Sequence, residues 1–111
     1  MTPRLQRWFW VQLAHWCHVL RQTDTAIKYY GLALEATPDD PQILASLGYE
    51  LMHAGRKRDA LAMFDRAVAI KPEWAEVQFG RGMLAQEAGD HDAALAAFDL
   101  ALAANPDHDR A

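Results

Sequence analysis

The sequence has little of several features on which small proteins often depend. Its single cysteine, Cys17, excludes an intramolecular disulfide and a cysteine-based zinc site. Valine, isoleucine and threonine are sparse while alanine is abundant, which favours helices over a sheet. No apolar run approaches the about 20 residues of a membrane span, and Gln12, His15 and His18 interrupt the apolar N-terminal stretch. We therefore expect neither a signal peptide nor a membrane span, and a cytoplasmic location.

Positive charge is also in deficit. The 111 residues contain 11 lysines and arginines against 15 aspartates and glutamates, which gives a net charge of −4. Nucleic-acid-binding domains usually carry a basic patch, so the charge balance predicts no nucleic-acid partner. Hydrophobic residues make up 51% and charged residues 23%, which is typical of one globular domain rather than a disordered chain.

A repeat of 34 residues runs through the chain. At that spacing the sequence repeats a proline at Pro38, Pro72 and Pro106, an alanine at Ala26, Ala60 and Ala94, and an aromatic residue at Tyr30, Phe64 and Phe98. A fixed period of this length is typical of a stack of similar helical units. The sequence therefore predicts a single domain, 1–111, made of the units 7–40, 41–74 and 75–108.

Each unit divides into two predicted helices, which are clearest in the middle one. Asp40 is a suitable N-cap for the first helix, and Gly55 can end it in the left-handed conformation. The second helix is expected over 58–70. Gly48 lies in the middle of the first helix, where glycine costs about 1 kcal/mol relative to alanine, so we expect a close helix crossing that Phe64 fills.

The order of small and aromatic residues resembles the tetratricopeptide repeat. The middle unit carries the fullest match: Leu47, Gly48, Ala60, Phe64, Ala67 and Pro72. The third unit departs from the pattern, with Gln78 in place of the usual aromatic residue and Arg81 in place of the usual leucine. The resemblance implies an all-α fold, a right-handed α-solenoid of three antiparallel helix pairs. It also implies a non-catalytic scaffold for protein–protein interaction.

The resemblance places the first helix of each pair along a concave groove that would bind a partner peptide or helix. The residues expected to line it are Trp8, Val11, His15, His18 and Val19 from the first unit, Gln42, Ala45, Tyr49, Met52 and His53 from the second, and Glu76, Phe79, Met83, Gln86 and Glu87 from the third. Aromatic and methionine side chains are typical of adaptable hydrophobic grooves. The alternative is that some of these positions are half-buried packing residues.

The third unit contains one basic and six acidic residues, so its end of the groove is the most acidic. Glu76 and Glu87 would favour a protein or peptide partner with a basic end. A solvated acidic face is the alternative.

Some family members hold the C-terminal carboxylate of heat-shock chaperones with lysine, asparagine and arginine side chains. The corresponding positions here are Val11, His15, Tyr49, Glu76 and Gly80, none of which matches. The sequence therefore predicts that chaperone tails are not the partner.

Candidate chemistry is sparse. His15, His18 and His53 share the groove, but Cys17 falls on the core side and we expect no carboxylate near the histidines. No nucleophile elbow, orienting third group or phosphate loop accompanies them. The sequence therefore predicts no cofactor, no metal site and no catalytic residue, and hence not an enzyme.

The ends of the stack raise a second possibility. A terminal unit lacks one neighbour, so Leu95 and Leu102 are expected to remain partly uncovered, and Trp8, Phe9, Trp10 and Trp16 cannot all be buried. A longer repeat array, a partner or a second copy could cover these surfaces. The alternative function is therefore a self-associating assembly module that uses the last unit or the tryptophan-rich first helix, as a homo-oligomer.

Overall fold

The computed structural model describes residues 2–104, which form six α-helices joined by short turns. They are α1 (Pro3–Val19), α2 (Thr23–Ala36), α3 (Pro41–His53), α4 (Lys57–Ile70), α5 (Ala75–Glu87) and α6 (His91–Ala104). The helix predicted over 58–70 is confirmed and begins one residue earlier. The end of the third predicted unit, 105–108, lies outside the described residues.

Local sequence explains where the helices begin and end. The Asp40 carboxylate caps α3, accepting hydrogen bonds from the backbone N–H groups of Gln42 at 3.0 Å and Ile43 at 3.4 Å, as predicted. Gly55 follows α3 with φ of 81°, which confirms its left-handed conformation. Arg21 occupies the same place after α1 with φ of 60°, a conformation that costs an L-residue about 1–2 kcal/mol.

The helices pair in sequence order and stack in one direction. Helices α1 and α2 form the first pair, α3 and α4 the second, and α5 and α6 the third, while α2 also contacts α3 and α4 contacts α5. The stack measures 43 × 25 × 24 Å. The predicted all-α solenoid of three helix pairs is confirmed. Among residues 2–104, no helix combines the length and the apolar character that a membrane crossing requires.

The predicted close crossing lies at the centre of the core. Phe64 on α4 is fully buried and its ring lies directly against Gly48 on α3. A Cβ atom on Gly48 would lie 2.6 Å from Phe64 Cε1, and one on Gly80 of the next unit would lie 3.3 Å from Cε2. The Phe64 ring therefore fits only because Gly48 of its own unit and Gly80 of the next unit have no side chain.

The two departures of the third unit from the repeat pattern form one polar network. Gln78 is buried, and its Nε2 donates to the Pro72 carbonyl oxygen at 3.1 Å. Its Oε1 accepts from Arg81 Nη1 at 2.7 Å, while Arg81 Nε donates to Asp65 on α4 at 2.7 Å. Because each polar group has a partner, glutamine and arginine can replace the aromatic residue and the leucine without leaving an unsatisfied group.

The Asp40 carboxylate also pairs with the Arg7 guanidinium on α1. Burial tends to raise the pKa of Asp40, but the hydrogen bond and charge of Arg7 and the N–H groups of Ile43 and Gln42 outweigh it and lower the pKa below 3.8. A carboxyl group with a lowered pKa stabilises the fold above its ordinary pKa. That contribution is lost as the pH falls through the lower native value.

We expect Asp40→Asn to lower the free energy of unfolding by up to about 1 kcal/mol at neutral pH, because asparagine keeps the cap but removes the charge. The deficit should shrink below pH 3.8 and vanish once Asp40 is protonated in both states. Urea denaturation of both proteins across this pH range measures the difference. Asp40→Ala, which also removes the cap, should cost more at every pH. A deficit of Asp40→Asn that does not change with pH would contradict the assignment.

Candidate functional site

The first helices of the three pairs contact one another along one face of the stack, which we call the first-helix face (α1, α3 and α5). His18 on α1 contacts Glu50 on α3, and Tyr49 on α3 donates through its hydroxyl to the Glu76 carbonyl oxygen on α5 at 3.1 Å. Side chains from all three units therefore meet on one surface.

Most residues predicted to line the groove are accessible. The exposed ones are Trp8, His15, His18, Gln42, His53, Glu76, Phe79, Met83, Gln86 and Glu87, and the half-buried ones are Val11, Tyr49 and Met52. Val19 is also exposed. The expectation for Ala45 was wrong, because its methyl group is buried in the hydrophobic core. That these accessible residues bind a partner stays a prediction.

A cavity of about 360 Å³ opens between α1, α2 and α3. We call it the histidine pocket, and it is lined by His15, His18, Tyr30, Ser46, Tyr49, Glu50 and His53. Four of these residues were predicted to line the groove, and the structure brings those four together. The other three, Tyr30, Ser46 and Glu50, were not predicted.

Glu50 changes the chemistry expected of the histidine pocket. Its side chain is only 4% exposed and contacts His18 Nδ1, so the expectation of no carboxylate near the histidines was wrong. Helical spacing could have indicated that Glu50 shares a face of α3 with His53, because Glu50 lies four residues after Ser46 and three before His53. The pocket therefore contains the Glu50 carboxylate beside imidazole groups that can donate or accept hydrogen bonds.

Two phenols complete the polar surface. Burial, and then the charge of Glu50, raise the pKa of Tyr30, against an opposing hydrogen bond with Ser46. Burial and the Glu76 charge likewise raise the pKa of Tyr49. Both hydroxyl groups therefore stay protonated at neutral pH. The Tyr49 proton is donated to the Glu76 carbonyl oxygen, and the Tyr49 oxygen can still accept a hydrogen bond.

The third-unit end of the face combines an apolar surface with acidic groups. Phe79 packs against Phe98 with ring centroids 5.4 Å apart, yet 39% of Phe79 stays exposed. The Glu87 carboxylate pairs with Lys57 Nζ at 2.8 Å, so its charge is compensated from within the chain. Glu76 is exposed and is therefore the acidic residue at this end that can best attract a basic partner.

Within residues 2–104, no three or more histidine, cysteine, aspartate and glutamate side chains group as metal ligands do. Cys17 is half-buried and packs against the hydrophobic core. The arrangement of polar donors, one buried carboxylate and exposed rings is suited to recognition of a bound chain.

Stacked antiparallel helix pairs with a pocketed first-helix face define an α-solenoid repeat protein. The tetratricopeptide repeat family model matches residues 19–73 and 46–109, and the chain belongs to this family. Members of the family generally mediate protein–protein interactions. No curated protein matches the sequence.

Several solved structures share the fold. The MamA protein superposes with a TM-score of 0.89 at 23% identity, over 93% of this chain and 56% of that chain. YrrB, described as a TPR protein with an unusual peptide-binding site, gives 0.83 at 23% identity, over 97% and 54%. A Thermobaculum terrenum O-GlcNAc transferase mutant gives 0.86 at 21% identity, over 99% and 21%. The chain thus spans little more than half of MamA and YrrB, and the likeness concerns the fold alone.

Proposed function

We propose that the first-helix face binds a peptide segment of a partner protein, and that the protein is a non-catalytic scaffold acting in the cytoplasm. The observation that carries the proposal is the histidine pocket, because a buried carboxylate, imidazoles and two tyrosines line one cavity of about 360 Å³. Polar groups that converge in a recess fix the orientation of a bound chain.

The apolar residues on the same face support the proposal. Trp8 on α1 and Phe79 and Met83 on α5 are large and partly exposed. Aromatic and methionine side chains supply most of the binding energy in many peptide grooves. YrrB, which shares the fold, is described as having a peptide-binding site.

The charges favour a basic residue in the bound peptide. Glu76 is exposed, and its carbonyl oxygen accepts from the Tyr49 hydroxyl, while Glu50 is a buried lining residue of the histidine pocket. A lysine or arginine of the peptide near Glu76 would speed association and fix the direction of the peptide.

The test begins with selection of a random phage-displayed peptide library on the wild-type protein, after which a selected peptide is synthesised and its affinity measured by titration. We expect Phe79→Ala with Met83→Ala to weaken binding at least about tenfold, because loss of a hot-spot side chain costs about 2 kcal/mol or more. Far-UV circular dichroism of the double variant shows that the helices remain.

The matched control is Ile70→Ala with Leu100→Ala, two residues of the second helices that are 46% and 50% exposed. This control removes a similar apolar area from the other side of the stack and should leave the affinity unchanged. Equal loss in both double variants, or full affinity in Phe79→Ala with Met83→Ala, would contradict binding on the first-helix face.

A further inference from the structure

We propose that the two ends of the stack are complementary, so that α6 of one copy packs on α1 of a second copy as neighbouring units pack within the chain. The protein would then associate head to tail. The inference is independent of the groove, because it uses the end surfaces of the stack.

The first of these surfaces is the α6 face, which consists of Leu95, Phe98, Asp99 and Leu102. Leu95 and Asp99 correspond, at the 34-residue spacing, to Leu61 and Asp65 of α4. Leu61 and Asp65 line a cavity together with Arg81 and Ala85 of the following unit. Asp65 also forms an ion pair with Arg81 at 2.7 Å. The residues of the α6 face therefore correspond to the α4 residues that contact the following unit.

Within residues 2–104, no helix covers the corresponding surface of α6. Leu61 and Val68 of α4 are half-buried and pack against the core. Their counterparts Leu95 and Leu102 are 62% and 42% exposed, as expected for the last helix. The two leucines lie seven residues apart, two helical turns, and so form one apolar strip.

The second surface is the α1 face, which consists of Phe9, Gln12 and Trp16. The positions that correspond to Phe9 are Ile43 and Val77, both buried, and those that correspond to Trp16 are Glu50 and Leu84, also buried. Contacts show what covers this row. A Cβ on Gly80, which corresponds to Gln12, would touch the Phe64 ring of the preceding unit, and Glu50 lines the same cavity as Tyr30 of the preceding unit.

On α1 the same row is open to solvent. Phe9 is 42% exposed and Trp16 is 62% exposed. Two large aromatic side chains on one helical face are an unusual surface for a monomer and typical of an interface core. In the second and third units the corresponding residues contact the preceding unit. On α1 the same positions carry large aromatic side chains that are accessible to solvent.

Charge complementarity identifies a second copy as the occupant. Before Asp24 the sequence contains three arginines and no acidic residue, and of these Arg4 and Arg21 are exposed while Arg7 pairs with Asp40. Between Arg81 and Arg110 the sequence contains no lysine or arginine, and α6 contributes Asp92 and Asp99. A basic α1 end facing an acidic α6 end favours opposite ends and disfavours like ends.

The geometry of this contact is heterologous, because the two surfaces differ. A heterologous contact that does not close into a ring leaves a free end after each addition. The expected product is an open series of oligomers whose mean mass rises with concentration.

The experiment uses two blocked variants of the full chain. Leu95→Glu with Leu102→Glu blocks the α6 face, and Phe9→Glu with Trp16→Glu blocks the α1 face. Multi-angle light scattering should show wild-type mass rising past that of a dimer, and each blocked variant alone as a monomer. An equimolar mixture of the two should form a one-to-one dimer, because each variant retains the end that the other lacks.

Leu100→Glu is the matched control, since Leu100 is 50% exposed and lies on the opposite side of α6. This variant should associate like the wild type, and added salt should weaken association in both. Circular dichroism checks that each variant keeps its helices. If a double variant loses helicity, Leu95→Ser replaces the pair on α6 and Trp16→Gln replaces the pair on α1. A wild type that stays monomeric up to about 1 mM would overturn the proposal. Dimerisation of either blocked variant alone would also overturn it, because that result requires contact between like ends.

Discussion

Phe64→Ala is expected to lower the free energy of unfolding by about 3–5 kcal/mol, which is a large part of the about 5–15 kcal/mol typical of a small domain. The ring is fully buried, touches the Tyr49 ring edge-on with centroids 5.0 Å apart, and lies against Gly48 and Gly80 of two units. Its removal would open a cavity that the rigid helix crossings cannot close. Urea denaturation followed by far-UV circular dichroism measures the loss.

Phe98→Ala provides the comparison, because Phe98 occupies the same position of the third unit but is only half-buried. It should cost clearly less than Phe64→Ala, since less apolar area leaves water on folding at that position. A cost for Phe98→Ala equal to or above that for Phe64→Ala would show that the middle crossing is not the centre of the core.

Gly48→Ala and Gly31→Ala should change stability in opposite directions. A methyl group at Gly48 would lie 2.6 Å from the Phe64 ring, so the enclosed ring must move, at a cost of about 1–3 kcal/mol. A methyl group at Gly31 meets no atom within 4 Å, so this variant should gain about 0.5–1 kcal/mol from the higher helix propensity of alanine.

The same denaturation experiment decides this comparison. Both glycines lie inside helices, so the difference between the two variants isolates the effect of packing. Stabilisation by Gly48→Ala would contradict the close crossing, and destabilisation by Gly31→Ala would contradict the open surface assigned to that position.

The fold was predictable because its determinants are local and repeated. Asp40 and Gly55 define the ends of α3 through backbone chemistry that acts within a few residues. Gly48 and Phe64 recur 34 residues later as Gly82 and Phe98, so their shared crossing could be expected from the pattern alone.

The histidine pocket was only partly predictable, because its buried members depend on contacts that occur in one unit. Glu50 occupies a position that holds Trp16 in the first unit and Leu84 in the third, so the repeat pattern says nothing about a carboxylate there. Tyr30 belongs to the aromatic column of the core, yet it lines the pocket and carries a hydroxyl group that Phe64 and Phe98 lack. Such unit-specific polar contacts require the relative position of three helices.

The polar network of the third unit shows the same limit. Gln78 and Arg81 appeared in the sequence as two separate departures from the family pattern. Their hydrogen bond at 2.7 Å within α5, together with the ion pair from Arg81 to Asp65 on α4, shows that the two departures belong to one network. A pattern read one position at a time cannot reveal that dependence.

The most direct test of the account is to map the bound peptide by NMR. Amide chemical shifts of the Leu95→Glu and Leu102→Glu variant, which is expected to be a monomer, are recorded with and without the peptide selected from the library. We predict that the largest changes occur on α1, α3 and α5, around His18, Tyr49 and Met83, with small changes on the outer surfaces of α2, α4 and α6. Changes concentrated on the second helices, with none around the histidine pocket, would contradict a peptide-binding groove on the first-helix face.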